Sequence, residues 1–158
     1  MHNDTPRHLR YASGYIALNL LNEASDELEA IAFEDRLAAP VLGVRVELHM
    51  AAKHWDMVVG IARELTRQTP DHERGWICWA YALRELNRVQ EALDVLLEAE
   101  PLHGEKVAVL HYNLACYYCL LGNLEAARER LRRACQMHEP LKKDALEDPD
   151  LEAICGEV

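Results

Sequence analysis

The chain is poor in the residues that build sheets, with three threonines, one phenylalanine, three tryptophans and six tyrosines among its 158 residues. It holds instead 24 leucines and 21 alanines, which favour helices where β-branched and aromatic residues favour strands, so a β-rich fold is excluded. Glycine is also scarce, at seven residues, and never clustered, which leaves no loop to cradle a phosphate. Ser13 and Ser25 lack the glycine context of a nucleophile elbow. The eight histidines contain no HExxH, and His49 and His54 stand five apart, off the four-residue spacing that puts two imidazoles on one helix face. Positive charge is in deficit, with 17 Lys and Arg against 27 Asp and Glu and a formal charge of -10. That balance repels phosphate backbones and anionic lipid, so neither nucleic acid nor a membrane surface is an expected partner. No apolar run reaches membrane-spanning length, and Met1 to Arg10 has no apolar stretch to act as a secretory signal.

The cysteines number five, an odd count: Cys78, Cys116, Cys119, Cys135 and Cys155. They lie mostly in apolar text outside any Gly-rich loop and do not read as a disulfide framework. Free cysteine packs as a small hydrophobe, and together with the missing signal this points to a reducing cytoplasm.

What is present is a repeat. Ala12, Val46, Ala80 and Ala115 are separated by 34, 34 and 35 residues. Tyr15, His49, Leu83 and Tyr118 follow at the same offset, as do Ala24, Val58, Ala92 and Ala127, then Leu28, Ala62, Leu96 and Leu131, then Ile31, Leu65, Ala99 and Ala134. Only His49 breaks the apolar or aromatic pattern. Each unit divides at turn-forming residues: Asn19 to Asn22, Lys53 and His54, Asn87 and Arg88, Gly122 and Asn123. Pro40, Pro70, Pro101 and Pro140 are expected between the second helix of one unit and the first of the next, because proline lacks the amide proton that a helix interior needs. Eight helices of roughly 11 to 16 residues result, ordinary lengths for a globular protein, in units 5–38, 39–72, 73–107 and 108–141. Residues 142–158 read as a cap: Leu141, Ala145 and Leu146 stand at helical spacing, Asp148 caps a turn begun by Pro149, and Leu151 and Ile154 pack. The six acids after Lys143 are expected on a solvated outer face. Small residues in two columns suit antiparallel helices whose backbones approach closely, and stacked pairs share a core that one pair cannot build.

These residues resemble the tetratricopeptide repeat family, whose unit is a 34-residue helix-turn-helix. The likeness is strongest in the third unit, with Trp76, Trp79, Ala80, Leu83, Ala92, Leu96 and Ala99, and in the fourth, with Leu114, Ala115, Tyr118, Gly122, Ala127, Leu131 and Ala134. The segment Tyr112 to Tyr117 and the ending Ala145 to Leu151 look like bacterial members. The resemblance implies an all-α, right-handed superhelix of about four helix pairs, one domain over residues 1–158, with first helices lining a concave groove. It implies a non-catalytic adaptor or scaffold that holds a partner peptide or helix, with no cofactor and no metal. The groove residues it implies are Glu47, Met50, Arg74, Ile77, Tyr81, Arg84, Tyr112, Cys116 and Cys119, with Leu9, Ser13 and Ile16 in the first unit. Tyr and Arg dominate binding hot spots. Some related proteins grip a partner's terminal carboxylate with polar residues on successive first helices; Leu9, Gly43, Val44, Cys78 and Val109 break that set here. A narrower implied role is escort of a secreted translocator protein. From another class, Cys116 and Cys119 share a helix face and with Cys78 outline a metal or redox sensor, although no second CxxC supplies further ligands. Arg128, Arg130, Arg132 and Arg133 interleave with Glu125 and Glu129, which reads as a salt-bridged outer helix with Glu129 meeting Arg133. An exposed face of the first unit leaves a homodimer open.

Overall fold

The computed structural model describes residues 1–157 and is all-helical, with no strand among the described residues. The cap, placed at 142–158 from sequence, ends on Val158, which lies outside the described residues. The helices are α1 (Thr5–Ala17), α2 (Leu21–Glu29), α3 (Ala39–Ala51), α4 (Trp55–Gln68), α5 (Glu73–Glu85), α6 (Val89–His103), α7 (Ala108–Leu120), α8 (Leu124–Met137) and α9 (Leu141–Glu147). Single 3-10 turns stand at Phe33–Asp35, Pro149–Leu151 and Cys155–Glu157. The chain forms two compact bodies, an N-terminal lobe over Met1–Ala82 and a C-terminal lobe from Leu83 onward.

The turn inside each repeat is closed by backbone alone. Asn19, Lys53, Asn87 and Gly122 adopt φ of 58°, 56°, 61° and 81°, the left-handed conformation that ends a helix by returning two amides to the last turn. In the first turn these are Asn19 N to Ile16 O and Leu20 N to Tyr15 O, both 2.9 Å. The same pair recurs as Lys53 to Met50 and His54 to His49, as Asn87 to Arg84 and Arg88 to Leu83, and as Gly122 to Cys119 and Asn123 to Tyr118. Asparagine and glycine tolerate this conformation, whereas lysine carries a steric cost. Lys53→Gly is therefore expected to raise stability by roughly 0.5–1 kcal/mol, the relief of strain exceeding glycine's entropy loss, as an upward shift of the denaturation midpoint; an unchanged or lowered midpoint would show that Lys53 is not strained.

Prolines punctuate as expected except in one place. Pro40 lies in the first turn of α3, Pro70 between α4 and α5, and Pro140 just before α9. Pro101 lies inside α6, not between units. Only its last turn follows, so the helix loses one amide donor close to an end where few bonds remain to be broken.

Four of the five sequence columns are buried throughout, from Ala12 and Ala24 at 0% exposure to Leu65 at 7%. In the N-terminal lobe, α1 and α2 close on α3 around Ala12, Ala24, Leu28, Ile31 and Val41, while α3, α4 and α5 close around Val46, Val58, Ala62 and Ala82. A Cβ on Gly75 would lie 2.6 Å from Thr66 Oγ1, and the Thr66 hydroxyl already donates to Ala62 O at 2.8 Å. Glycine is what lets α5 approach α4 at that point. The entry to α1 is pinned by buried Asp35, which accepts from Thr5 Oγ1 at 2.6 Å and from the His2 amide at 2.7 Å.

In the C-terminal lobe α7 and α8 pair, α6 packs on α7, and the tail closes over α7. Leu151 is 0% exposed and Ile154 1%, and Asp148 caps its turn by accepting from the Asp150 amide at 2.9 Å. Leu146 faces outward at 62% exposure, although Leu141 and Ala145 on the same helix are buried. The acidic tail is not wholly solvated: Asp148 and Asp150 turn inward. The basic cluster of α8 likewise reaches across to α6 and the loop after it, with Arg130 bidentate on Glu100 and Arg133 on Glu105 at 2.7 Å.

Candidate partner-binding surface

The nine groove candidates fall into two environments. In the N-terminal lobe, Glu47 on α3 pairs with Arg74 on α5, Oε1 to Nη2 2.6 Å. Arg74, Ile77, Cys78 and Tyr81 follow one another at helical spacing, so they share a face of α5. Arg74 is exposed, Ile77 half-buried, and Tyr81 39% exposed. Tyr81 is braced by Trp55 of α4, whose ring meets it edge-on with centroids 5.7 Å apart and planes at 60°. Such a contact fixes the phenol ring without covering it. Met50 packs into the cluster beneath with Trp55 and Cys78. Burial pushes the Cys78 thiol up, and Arg74 partly opposes that rise.

In the C-terminal lobe the candidates are engaged by the chain itself. The Arg84 guanidinium grips the Asp150 carboxylate through two nitrogens. Tyr112 Oη donates to Asp148 Oδ2 at 2.8 Å, and the Cys116 thiol lies 3.8 Å from the same oxygen. Cys116 and Cys119 are buried. Burial, then the neighbouring Asp148 and Asp150, raise the Cys116 thiol far above its ordinary range, and burial also raises Cys119 despite an opposing bond from the Ala153 amide. Burial likewise raises the Tyr112 phenol, reinforced by its bond to Asp148. These thiols are held protonated, the opposite of what thiolate chemistry requires.

Cys116, Asp148 and Asp150 bring one ligand atom each within 4.8 Å of one another. The arrangement fits a metal poorly, because the positive charge that neutralises Asp150 comes from Arg84 and the thiol is kept as a neutral acid. Sequence reasoning missed Trp55 as the brace of Tyr81 and missed the tail acids as the occupants of the α7 face. The first had no signal in the repeat frame, since its column reads Leu21, Trp55, Val89 and Leu124. The second was legible in Asp148-Pro149-Asp150-Leu151, whose alternating acids and buried leucine suit a segment folded against a basic and aromatic face.

Solved structures share this arrangement of helices, two MamA proteins among them. MamA MSR-1 superposes with a TM-score of 0.74 at 20% identity, covering 87% of this chain and 79% of its own. MamA AMB-1 superposes at 0.73 and 20% identity, covering 86% and 74%. MamA is a tetratricopeptide-repeat protein. This chain has the tetratricopeptide-type fold. No family model and no curated protein sequence matches it. No described helix is long and apolar enough to cross a membrane.

Proposed function

We propose that this chain is a non-catalytic interaction module that binds a partner polypeptide on the α3–α5 face of its N-terminal lobe. The observation that carries this reading is Tyr81, a large ring held edge-on by Trp55 and left exposed, on the helix face that also presents Ile77 and the Glu47–Arg74 pair. Rigid aromatic anchors beside forked charges are what binding hot spots are made of. A partner segment would set an apolar side chain against Tyr81 and Ile77, and an ionic or amide group against the Glu47–Arg74 pair. Arg84, Tyr112, Cys116 and Cys119 contribute in this reading by holding the tail. The test is selection of displayed peptides on the whole protein, followed by anisotropy titration of the best binder. Tyr81→Ala is expected to weaken that peptide by at least about tenfold, roughly 1.4 kcal/mol, with circular dichroism unchanged. Selected peptides that bind Tyr81→Ala as well as the parent overturn the assignment.

A further inference from the structure

The one position that breaks the repeat columns is His49, and the structure gives that departure a chemical context. His49 and His54 stand five apart, off the spacing that aligns two side chains along a helix, yet their Nδ1 atoms lie 3.4 Å apart, with ring centroids separated by 5.6 Å. The cause is the left-handed turn at Lys53. The bond from His54 N to His49 O makes these residues the two flanks of the helix-ending motif, and that motif brings the side chains of its flanks together by construction, usually as an apolar contact. In the sister turns the flanking pairs are Tyr15 with Leu20, Leu83 with Arg88, and Tyr118 with Asn123. Here alone among the four both are imidazoles.

We propose that His49 and His54 form a two-imidazole chelate for a divalent transition ion of the zinc class, open to solvent or to a partner's donor at its remaining positions. Zinc bonds imidazole nitrogen at 2.0–2.1 Å, so a cation equidistant from atoms 3.4 Å apart subtends about 110° between them, near the tetrahedral angle. Imidazole suits zinc, copper and nickel, whereas magnesium and calcium prefer oxygen donors. Both rings must be neutral to bind. Burial holds His49 below its ordinary range, helped by the charges of His54 and Arg45, and Arg45 itself is turned onto Glu29 at 3.2 Å. Without the ion, a bond between the two Nδ1 atoms needs one of them protonated and the other bare. When both rings are neutral, binding moves that proton to the far nitrogen of the same ring. The pair crowns the turn between α3 and α4, at the start of the helix that carries Trp55.

The test is calorimetric titration of Zn2+ into the full chain at neutral pH with magnesium in excess, alongside histidine ring spectra by NMR. One ion per chain is expected, moving the His49 and His54 ring signals together. His49→Ala and His54→Ala should each weaken binding by at least about tenfold, as loss of a ligand does. His72→Ala, at an exposed position after α4, should leave it unchanged. His54 is exposed, so its variant remains informative even where removal of partly buried His49 perturbs folding. Equal zinc affinity in the parent and His54→Ala, or zinc shifts confined to other histidines, overturns the proposal, as does magnesium competing on equal terms.

Discussion

Leu151→Ala is expected to lower the stability of the C-terminal lobe by about 2–5 kcal/mol, the range for truncating a fully buried leucine whose cavity cannot collapse. Leu151 is 0% exposed and Ile154 1%, and the turn that presents them is fixed by three polar attachments: Asp148 on its own Asp150 amide, Tyr112 on Asp148 and Arg84 on Asp150. Leucine burial supplies the energy and the acids set the register. Leu146→Ala is the matched control, since that side chain is 62% exposed and its loss should change stability by no more than about 0.5 kcal/mol. Urea unfolding of both variants, with hydrogen exchange reporting on α7 and α8, separates the two cases. Equal midpoints for the two variants would mean that the tail only rests on the lobe. A large loss at Leu151 alone, with faster exchange in α7, is the expected result, and it would explain why Tyr112, Cys116 and Cys119 serve the fold before any partner.

The second large effect centres on His111, which is 0% exposed. Its Nε2 lies 2.7 Å from Gly104 O and its Nδ1 3.1 Å from Arg130 Nη1. A carbonyl can only accept and a guanidinium only donate, so the proton sits on Nε2, Nδ1 is bare, and the ring is neutral. Arg130 is held in turn by Glu100. Protonating Nδ1 would set an N–H against an N–H, and burial, together with Arg133 and Arg130, lowers the His111 pKa from its usual 6.5 despite the opposing Gly104 bond. The unfolded chain therefore takes up the proton first. This contribution to stability is complete above about pH 6.5 and is lost as pH falls below it toward the folded-state value. His49, also lowered, adds a loss of the same sign. Glu100 and Asp35, both lowered by hydrogen bonds, act only further into acid, below about pH 4.5. His111→Ala should cost about 3–5 kcal/mol at neutral pH, from the cavity and from the stranded Gly104 carbonyl. His111→Gln should cost less and should flatten the fall in stability between about pH 7 and 5. An undiminished slope in that variant would move the acid sensitivity elsewhere.

The repeat frame was the most legible part of the molecule because it rests on burial, and burial has a period. Ala12, Val46, Ala80 and Ala115 are all fully buried, as are Ala24, Val58, Ala92 and Ala127, since helices that cross closely exclude a larger side chain wherever they cross. The turns were legible at Asn19, Asn87 and Gly122, whose chemistry suits a left-handed residue, and less so at Lys53, which adopts it under the constraint of its neighbours. Spacing rules for one helix could not anticipate contacts made by leaving that helix. His49 meeting His54 across a turn, Trp55 meeting Tyr81 from another helix, and Arg84 meeting Asp150 over a long sequence separation are all of this kind. Pro101 shows the converse: a residue that stops most helices is accommodated near the end of α6, where little helix remains to be disrupted.

The four backbone-closed turns have a consequence for how such a chain diversifies. Helix termination there depends on one residue's conformation and two main-chain bonds, so it sets no requirement of its own on the flanking side chains, which serve other ends: Leu83 is buried in the core and Asn123 caps α8 by accepting from the Ala126 amide. Tyrosine with leucine, leucine with arginine, tyrosine with asparagine and a histidine pair all occupy the same scaffold position. The frame thus leaves room for new chemistry at those flanks that stand clear of the core, as exposed His54 does, without rewriting the architecture around them.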